Sequence, residues 1–182
     1  MEIQKCGPRD AASKRDQVID VYDRAWTGTL FHPGAANVPT LGDRLMQQAG
    51  NPDFRLCVAV EGADAVGFAY GYSSVPGGWW RQSVAASLGG HAWNRWLDDC
   101  FEFAELAVVP EFQSQGIGGR LHDTLLAGLQ QSTSLLSTQK ANLSALSFYK
   151  ARGWIVLNDW MMFSNRTEPY VIMGLDLAER EP

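Results

Sequence analysis

The 182 residues predict a mixed α/β fold organised on one central sheet. Three observations carry this. Short apolar runs bounded by Gly, Pro and Asn recur along the chain, as strands do. Stretches with apolar residues three and four apart separate them, as helices do. One strand, helix and strand in succession, Phe101–Val109, Arg120–Gln130 and Leu135–Thr138, forms a crossover that makes its two strands parallel.

In order, residues 1–6 predict a first strand. Pro8 leads into a helix through Trp26, with Val18, Ile19, Tyr22 and Trp26 on one stripe. Phe31-His-Pro-Gly34 predicts a loop. Thr40 with Asp43 three residues on resembles a capping box for a second helix, which Gly50 and Asn51-Pro52 end. Arg55–Val60 and Ala65–Ser73 predict an antiparallel pair across the break Glu61–Asp64. Ser74–Cys100 opens on Pro76-Gly77-Gly78 and predicts a loop and helix inserted between strands. After the parallel unit, Ala141–Arg152 predicts a helix stopped by Gly153, and Trp154–Leu157 and Tyr170–Leu177 the closing strands.

At roughly 100–200 residues per domain, the chain predicts a single domain spanning 1–182. Its net charge of −5 gives it no basic nucleic-acid footprint. With 46% hydrophobic and 19% charged residues it is not of disordered composition. The N-terminus lacks the apolar stretch of a secretory signal, and no run of about 18 apolar residues predicts a membrane span. Cys6, Cys57 and Cys100 are odd in number and widely spaced, unlike a disulfide framework or a zinc site. These features predict a cytoplasmic protein with reduced, buried thiols, without metal, membrane or nucleic-acid partners.

Gln113-Ser-Gln-Gly116-Ile-Gly118-Gly119-Arg120 follows a strand and opens a helix. The first N–H groups of a helix lack intrahelical partners and carry partial positive charge, so a phosphate fits there where Gly lets backbone approach. A dinucleotide fingerprint needs a third glycine at Leu121 and an acidic residue about 20 positions on, which the Leu135–Gln139 region lacks. A P-loop needs G-K-[ST] where Gly119-Arg120-Leu121 stands.

Glu105-Leu-Ala-Val-Val-Pro-Glu-Phe-Gln113-Ser-Gln-Gly116-Ile-Gly118 instead resembles the strand–Pro–[RQ]-x-x-G-x-[GA]–helix signature of the Gcn5-related N-acetyltransferase (GNAT) family. Asn142-x-x-Ala145-x-x-Phe148-Tyr149-x-x-x-Gly153-Trp154 resembles that family's second block. Together the blocks cover about residues 101–154.

The resemblance implies the family's acyl-CoA N-acyltransferase fold: a mixed central sheet, splayed at the cofactor-binding strands and flanked by helices. It implies acetyl-CoA as cosubstrate and an unidentified amine as partner, with the protein a monomer or homodimer. The pyrophosphate would lie on Gln115, Gly116, Ile117, Gly118, Gly119 and Arg120, with Gln113 and Ser114 in the same loop. The pantetheine arm would pair with Ala107, Val108 and Val109, a cofactor acting as an added strand. Asn142 would touch that arm or order the gap between the splayed strands, Phe148 and Arg152 would join the cofactor site, and Tyr149 would sit near the sulfur.

Each role has a plainer rival. Tyr149 also reads as a core tyrosine and Asn142 as a helix cap. Glu102 and Glu105, in an otherwise apolar strand, need a partner or a cleft. Strict alternation puts them on opposite faces, unless a bulge of the kind this family has intervenes. His122 reads as a surface or packing residue, His91 as an insertion residue able to reach substrate, and His32 has no ligand spacing. In the implied chemistry, Glu102 or Glu105 takes the amine proton, the N–H of Val108 or its neighbour polarises the carbonyl, and Tyr149 protonates the thiolate. Cys100 is not needed.

Four of seven tryptophans, Trp79, Trp80, Trp93 and Trp96, fall in the segment the family pattern does not explain. They read either as walls of an acceptor pocket or as a satellite core. The sequence predicts an acetyltransferase acting on a primary amine of a small molecule or protein by direct attack in a ternary complex. Its rivals are transfer from another acyl-CoA and a non-catalytic CoA-binding sensor.

Overall fold

The computed structural model describes residues 1–27, 29, 40–89 and 95–178. The predicted loop at Phe31–Gly34 and the residues His32, His91 and Trp93 lie outside the described residues. Seven strands form an open mixed sheet in the order β1-β2-β3-β4-β5-β7-β6. They are β1 (Glu2–Cys6), β2 (Arg55–Glu61), β3 (Asp64–Ser73), β4 (Cys100–Val108), β5 (Thr133–Gln139), β6 (Ile155–Met161) and β7 (Tyr170–Asp176). The helices are α1 (Ala11–Trp26), α2 (Leu41–Gln48), α3 (Trp79–Leu88), α4 (Ile117–Leu126) and α5 (Leu143–Lys150). The chain divides into two compact units, Met1–Tyr72 with Ala104–Gly128, and Ser73–Phe103 with Leu129–Pro182.

In the first unit, β1 and β2 pair antiparallel from Glu2↔Val60 to Cys6↔Leu56, and β2 continues onto β3 from Arg55↔Gly71 to Glu61↔Asp64. Val18, Val21 and Tyr22 form the buried stripe of α1. The Thr40 hydroxyl accepts the Asp43 N–H at 3.2 Å, so the predicted cap starts α2. Gly67 of β3 lets α4 come close: a β-carbon there would stand 3.0 Å from Leu121 Cδ1 and 3.1 Å from the Ala107 carbonyl.

Helix α4 starts at Ile117 rather than at the expected Arg120, because Gly116 takes the left-handed conformation and turns the chain directly into it. It stops at Leu126, short of the expected Gln130. There Arg55 from β2 donates to the carbonyls of Leu125 at 3.3 Å, Ala127 at 2.7 Å and Gly128 at 3.2 Å, serving acceptors that the helix end cannot.

In the second unit, β4 runs parallel to β5 through Cys100↔Thr133, Phe101↔Ser134 and Glu102↔Leu135, as the crossover predicts. β7 lies antiparallel between β5 and β6. Strand β6 extends to Met161, past the expected Leu157, with irregular pairing near Asn158. Its polar Asn158-Asp159 step conceals it in sequence, yet an edge strand tolerates such residues. The core here joins Val84, Trp96, Leu97, Cys100, Leu135, Met161, Phe163 and Ile172. None of the described helices is long and apolar enough to cross a membrane.

Candidate active site

The first unit carries the glycine loop. β4 ends at Val108, and a short 3-10 turn at Pro110–Phe112 redirects the chain. Ser114 at φ 59 and Gly116 at φ 80 are both left-handed, so the backbone coils ahead of α4. Nothing lies within 4 Å of where a Gly116 β-carbon would stand, leaving open space over the helix start. Gln113, Ser114, Gln115, Gly116 and Arg120 are exposed, and Gly118 is half-buried. The first intrahelical bond runs from Arg120 N–H to Gly116 O, so the N–H groups of Ile117, Gly118 and Gly119 precede it. This arrangement suits a diphosphate.

Two hydrogen bonds define what β4 can offer an added strand. Val109 N–H donates to Val66 O at 3.0 Å, so that group belongs to β3. Backbone groups alternate in direction along a strand, so Val108 N–H points away from β3. Gln113 Nε2 donates to Val108 O at 2.8 Å. Of the three residues the resemblance implies, Val108 therefore presents the outward N–H.

The bonds Ser74 N–H to Cys100 O and Val109 N–H to Val66 O bracket eight steps on β3, from Val66 to Ser74, and nine on β4, from Cys100 to Val109. One extra residue sits on β4. Such a bulge reverses the facing of the strand residues beyond it.

The two carboxylates have different surroundings. Glu105 Oε2 lies 3.4 Å from Arg44 Nη2 on α2, with both side chains largely covered. Burial alone would lower the Arg44 pKa, but Glu105 with Tyr70 and Tyr22 outweighs it and raises it above its ordinary value. Glu102, in the second unit, is 6% exposed and accepts the Ser74 hydroxyl at 2.6 Å. Arg81 on α3 donates to that hydroxyl at 3.1 Å and to the carbonyl of Leu97. Arg44, Ser74 and Arg81 were not singled out in the sequence. The available signal is Arg81 itself, a cation in the first turn of a helix, where the dipole disfavours it.

The second unit also holds the second block. Asn142 is the N-cap of α5, its Oδ1 accepting the Ala145 N–H at 3.1 Å and the Ser144 hydroxyl at 3.0 Å. Tyr149 is 8% exposed. Its ring is met edge-on by Phe103 at 5.9 Å, Phe148 at 5.1 Å and Trp154 at 5.5 Å. Arg152 stacks its guanidinium 3.8 Å from the Phe148 ring.

The insertion tryptophans separate. Trp96 is 6% exposed and lies in the core, against the backbone of Gly174. Trp80 is half-buried and donates to Ser137 Oγ at 3.0 Å. Trp79 is 50% exposed, its ring 5.3 Å from Phe163. Trp96 thus packs with Val84, Leu97 and Cys100 in the core of the second unit. His122 is fully buried on α4, as a packing residue.

The profile of the Acetyltransferase (GNAT) family matches residues 16–154. The chain is 32% identical over 123 residues to the GCN5-like protein acetyltransferase Rv2170 of Mycobacterium tuberculosis, a match covering 63% of this chain and 60% of that protein. Its fold is similar to that of yncA from Salmonella typhimurium, a putative acetyltransferase solved with acetyl-CoA, at TM-score 0.64 and 15% identity, covering 100% of this chain and 96% of that one. It is also similar to the ribosomal-protein-S18-alanine N-acetyltransferase of Escherichia coli, at TM-score 0.62 and 16% identity, covering 97% and 93%. The family match spans most of the chain, and both of its sequence blocks fall within it: the chain belongs to the Acetyltransferase (GNAT) family.

Proposed function

We propose that the protein transfers an acetyl group from acetyl-CoA to a primary amine by direct attack in a ternary complex. Acetyl-CoA is the cosubstrate that fits this family. The observation that carries the reading is the glycine loop, with left-handed Gly116 opening onto the first N–H groups of α4. In this reading the diphosphate sits on Gly116 to Arg120, and the pantetheine arm takes the outward N–H of Val108. That N–H, or its neighbour along the arm, polarises the thioester carbonyl.

Glu102 accepts the amine proton, directly or through water, and Tyr149 returns a proton to the thiolate. Glu102 is preferred to Glu105 because it accepts the neutral Ser74 hydroxyl, whereas Glu105 is paired with the Arg44 guanidinium. Phe148 and Arg152 contribute to the cofactor site, and Asn142 orders the start of the helix that carries them. Trp79, half open on the insertion, is the acceptor contact we favour, with Trp80 beside it. The name of the mycobacterial relative supports a protein amine as the acceptor class.

The test measures CoA binding by calorimetry and thiol release with a coloured disulfide reagent, over lysine peptides, free N-terminal peptides and small polyamines. Binding with acetyl transfer to one class is the expected result. Binding without turnover on any would favour a CoA sensor, and absence of binding would overturn the proposal.

A further inference from the structure

Arg81 occupies the first turn of α3, where the helix dipole opposes a cation. Its side chain is committed there by two acceptors, the carbonyl of Leu97 and the hydroxyl oxygen of Ser74. A guanidinium only donates, so Ser74 Oγ accepts from it and turns its own proton toward Glu102 Oε1. The direction of the chain is therefore fixed, from Arg81 to Ser74 to Glu102, and it ends on a buried oxygen that must accept. Arg81 from α3 and Cys100 from β4 are titratable neighbours of Glu102, and the Cys100 thiol is held protonated by burial and by that carboxylate.

We infer that Arg81, acting through Ser74, is a positioning residue for Glu102: it fixes the plane of the carboxylate and holds it ionised for the amine proton. This rests on Glu102 being the base of the proposed acetyl transfer. It also gives the Ser74–Cys100 insertion a second task. The segment supplies acceptor contact through Trp79, and through Arg81 it forms part of the support of the proton acceptor.

Arg81 also clips the insertion through Leu97, so a purely structural role has to be separated. Ser74→Ala cuts the link to Glu102 and leaves the bond to Leu97 in place. Protein labelled with carboxyl-13C glutamate reads the Glu102 titration directly by NMR, its signal assigned by loss in Glu102→Gln. Removing a donor or a nearby cation disfavours the charged form. The Glu102 midpoint is expected to rise by about half a pH unit or more in Ser74→Ala and Arg81→Gln, with Arg81→Lys lying between Arg81→Gln and the native protein. An unchanged midpoint in folded Ser74→Ala overturns the inference, even where Glu102→Gln is inactive. Full turnover by Glu102→Gln on the amine found by screening overturns the base reading instead, whatever the midpoints do.

Discussion

Trp96 lies on Gly174 so closely that a β-carbon on that glycine would fall 2.7 Å from the indole Cζ3 and 2.8 Å from Cε3. Leu157 Cδ1 stands 2.8 Å away as well, so the added carbon fits only if the indole and that methyl both shift. Gly174→Ala should destabilise the protein by about 1–3 kcal/mol, the usual cost of overpacking. Urea denaturation should show a lower midpoint. Trp96→Ala should cost about 3–5 kcal/mol by emptying the same site.

Gly116→Ala separates folding from cofactor binding. Its φ of 80 strains any L side chain, while the space above it is open. The left-handed conformation should cost about 1–2 kcal/mol in stability. Affinity for acetyl-CoA should fall by roughly tenfold as the loop relaxes, the equivalent of ~1.4 kcal/mol. Calorimetry on the folded variant gives the answer, and unchanged affinity would remove the loop from the site.

Tyr149→Phe keeps the edge-on ring contacts with Phe103, Phe148 and Trp154. The aromatic packing of the ring should therefore be kept. Loss of a general acid should lower kcat by about 10- to 10⁴-fold with the KM for acetyl-CoA nearly constant. A native kcat would show that the hydroxyl serves only packing.

The two glutamates should fail in different ways. Glu105→Gln leaves the Arg44 guanidinium largely covered without its counter-charge, and should cost on the order of 1–3 kcal/mol. Glu102→Gln should mainly lower turnover. Comparing denaturation midpoints with rates for both variants tests the assignment. If Glu105→Gln abolishes turnover at native stability, the roles are exchanged.

Thiol titration should depend on pH in a defined sense. Burial pushes the Cys57 pKa up to about 11, and the Cys100 thiol is raised too, by burial first and by Glu102 next. Both should react slowly with a disulfide reagent at pH 8 and at the ordinary thiol rate after unfolding. The folded-state pKa of Cys57 lies above that of an ordinary thiol, so its contribution to stability is complete below about pH 9 and is lost as pH rises through about 11. Cys100→Ser should retain acetyl transfer, because direct attack uses no acyl-cysteine.

The architecture was legible because its signals are local. Thr40 and Asp43 mark a cap, Gly116 marks a left-handed turn, and period-two and period-four stripes mark strands and helices. Element boundaries were missed where distant groups decide them. The end of α4 is set by Arg55, some seventy residues earlier in the chain. The extra residue on β4 shows only in its bonds to β3, which no spacing within β4 reveals. Ser74 and Arg81 have no motif, because their relation to Glu102 exists only after the insertion folds back on itself. Composition leaves Trp96 as core or pocket wall, and its burial against Gly174 is a contact no spacing foretells.

The bond from Gln113 to the Val108 carbonyl ties the loop back to the strand it leaves. The amide reaches back five residues and holds the end of β4 against the turn that precedes α4. An amide can donate there and a carboxylate cannot. Gln113→Glu would therefore set two acceptors face to face and free the loop from the strand end, while Gly116 kept its own conformation.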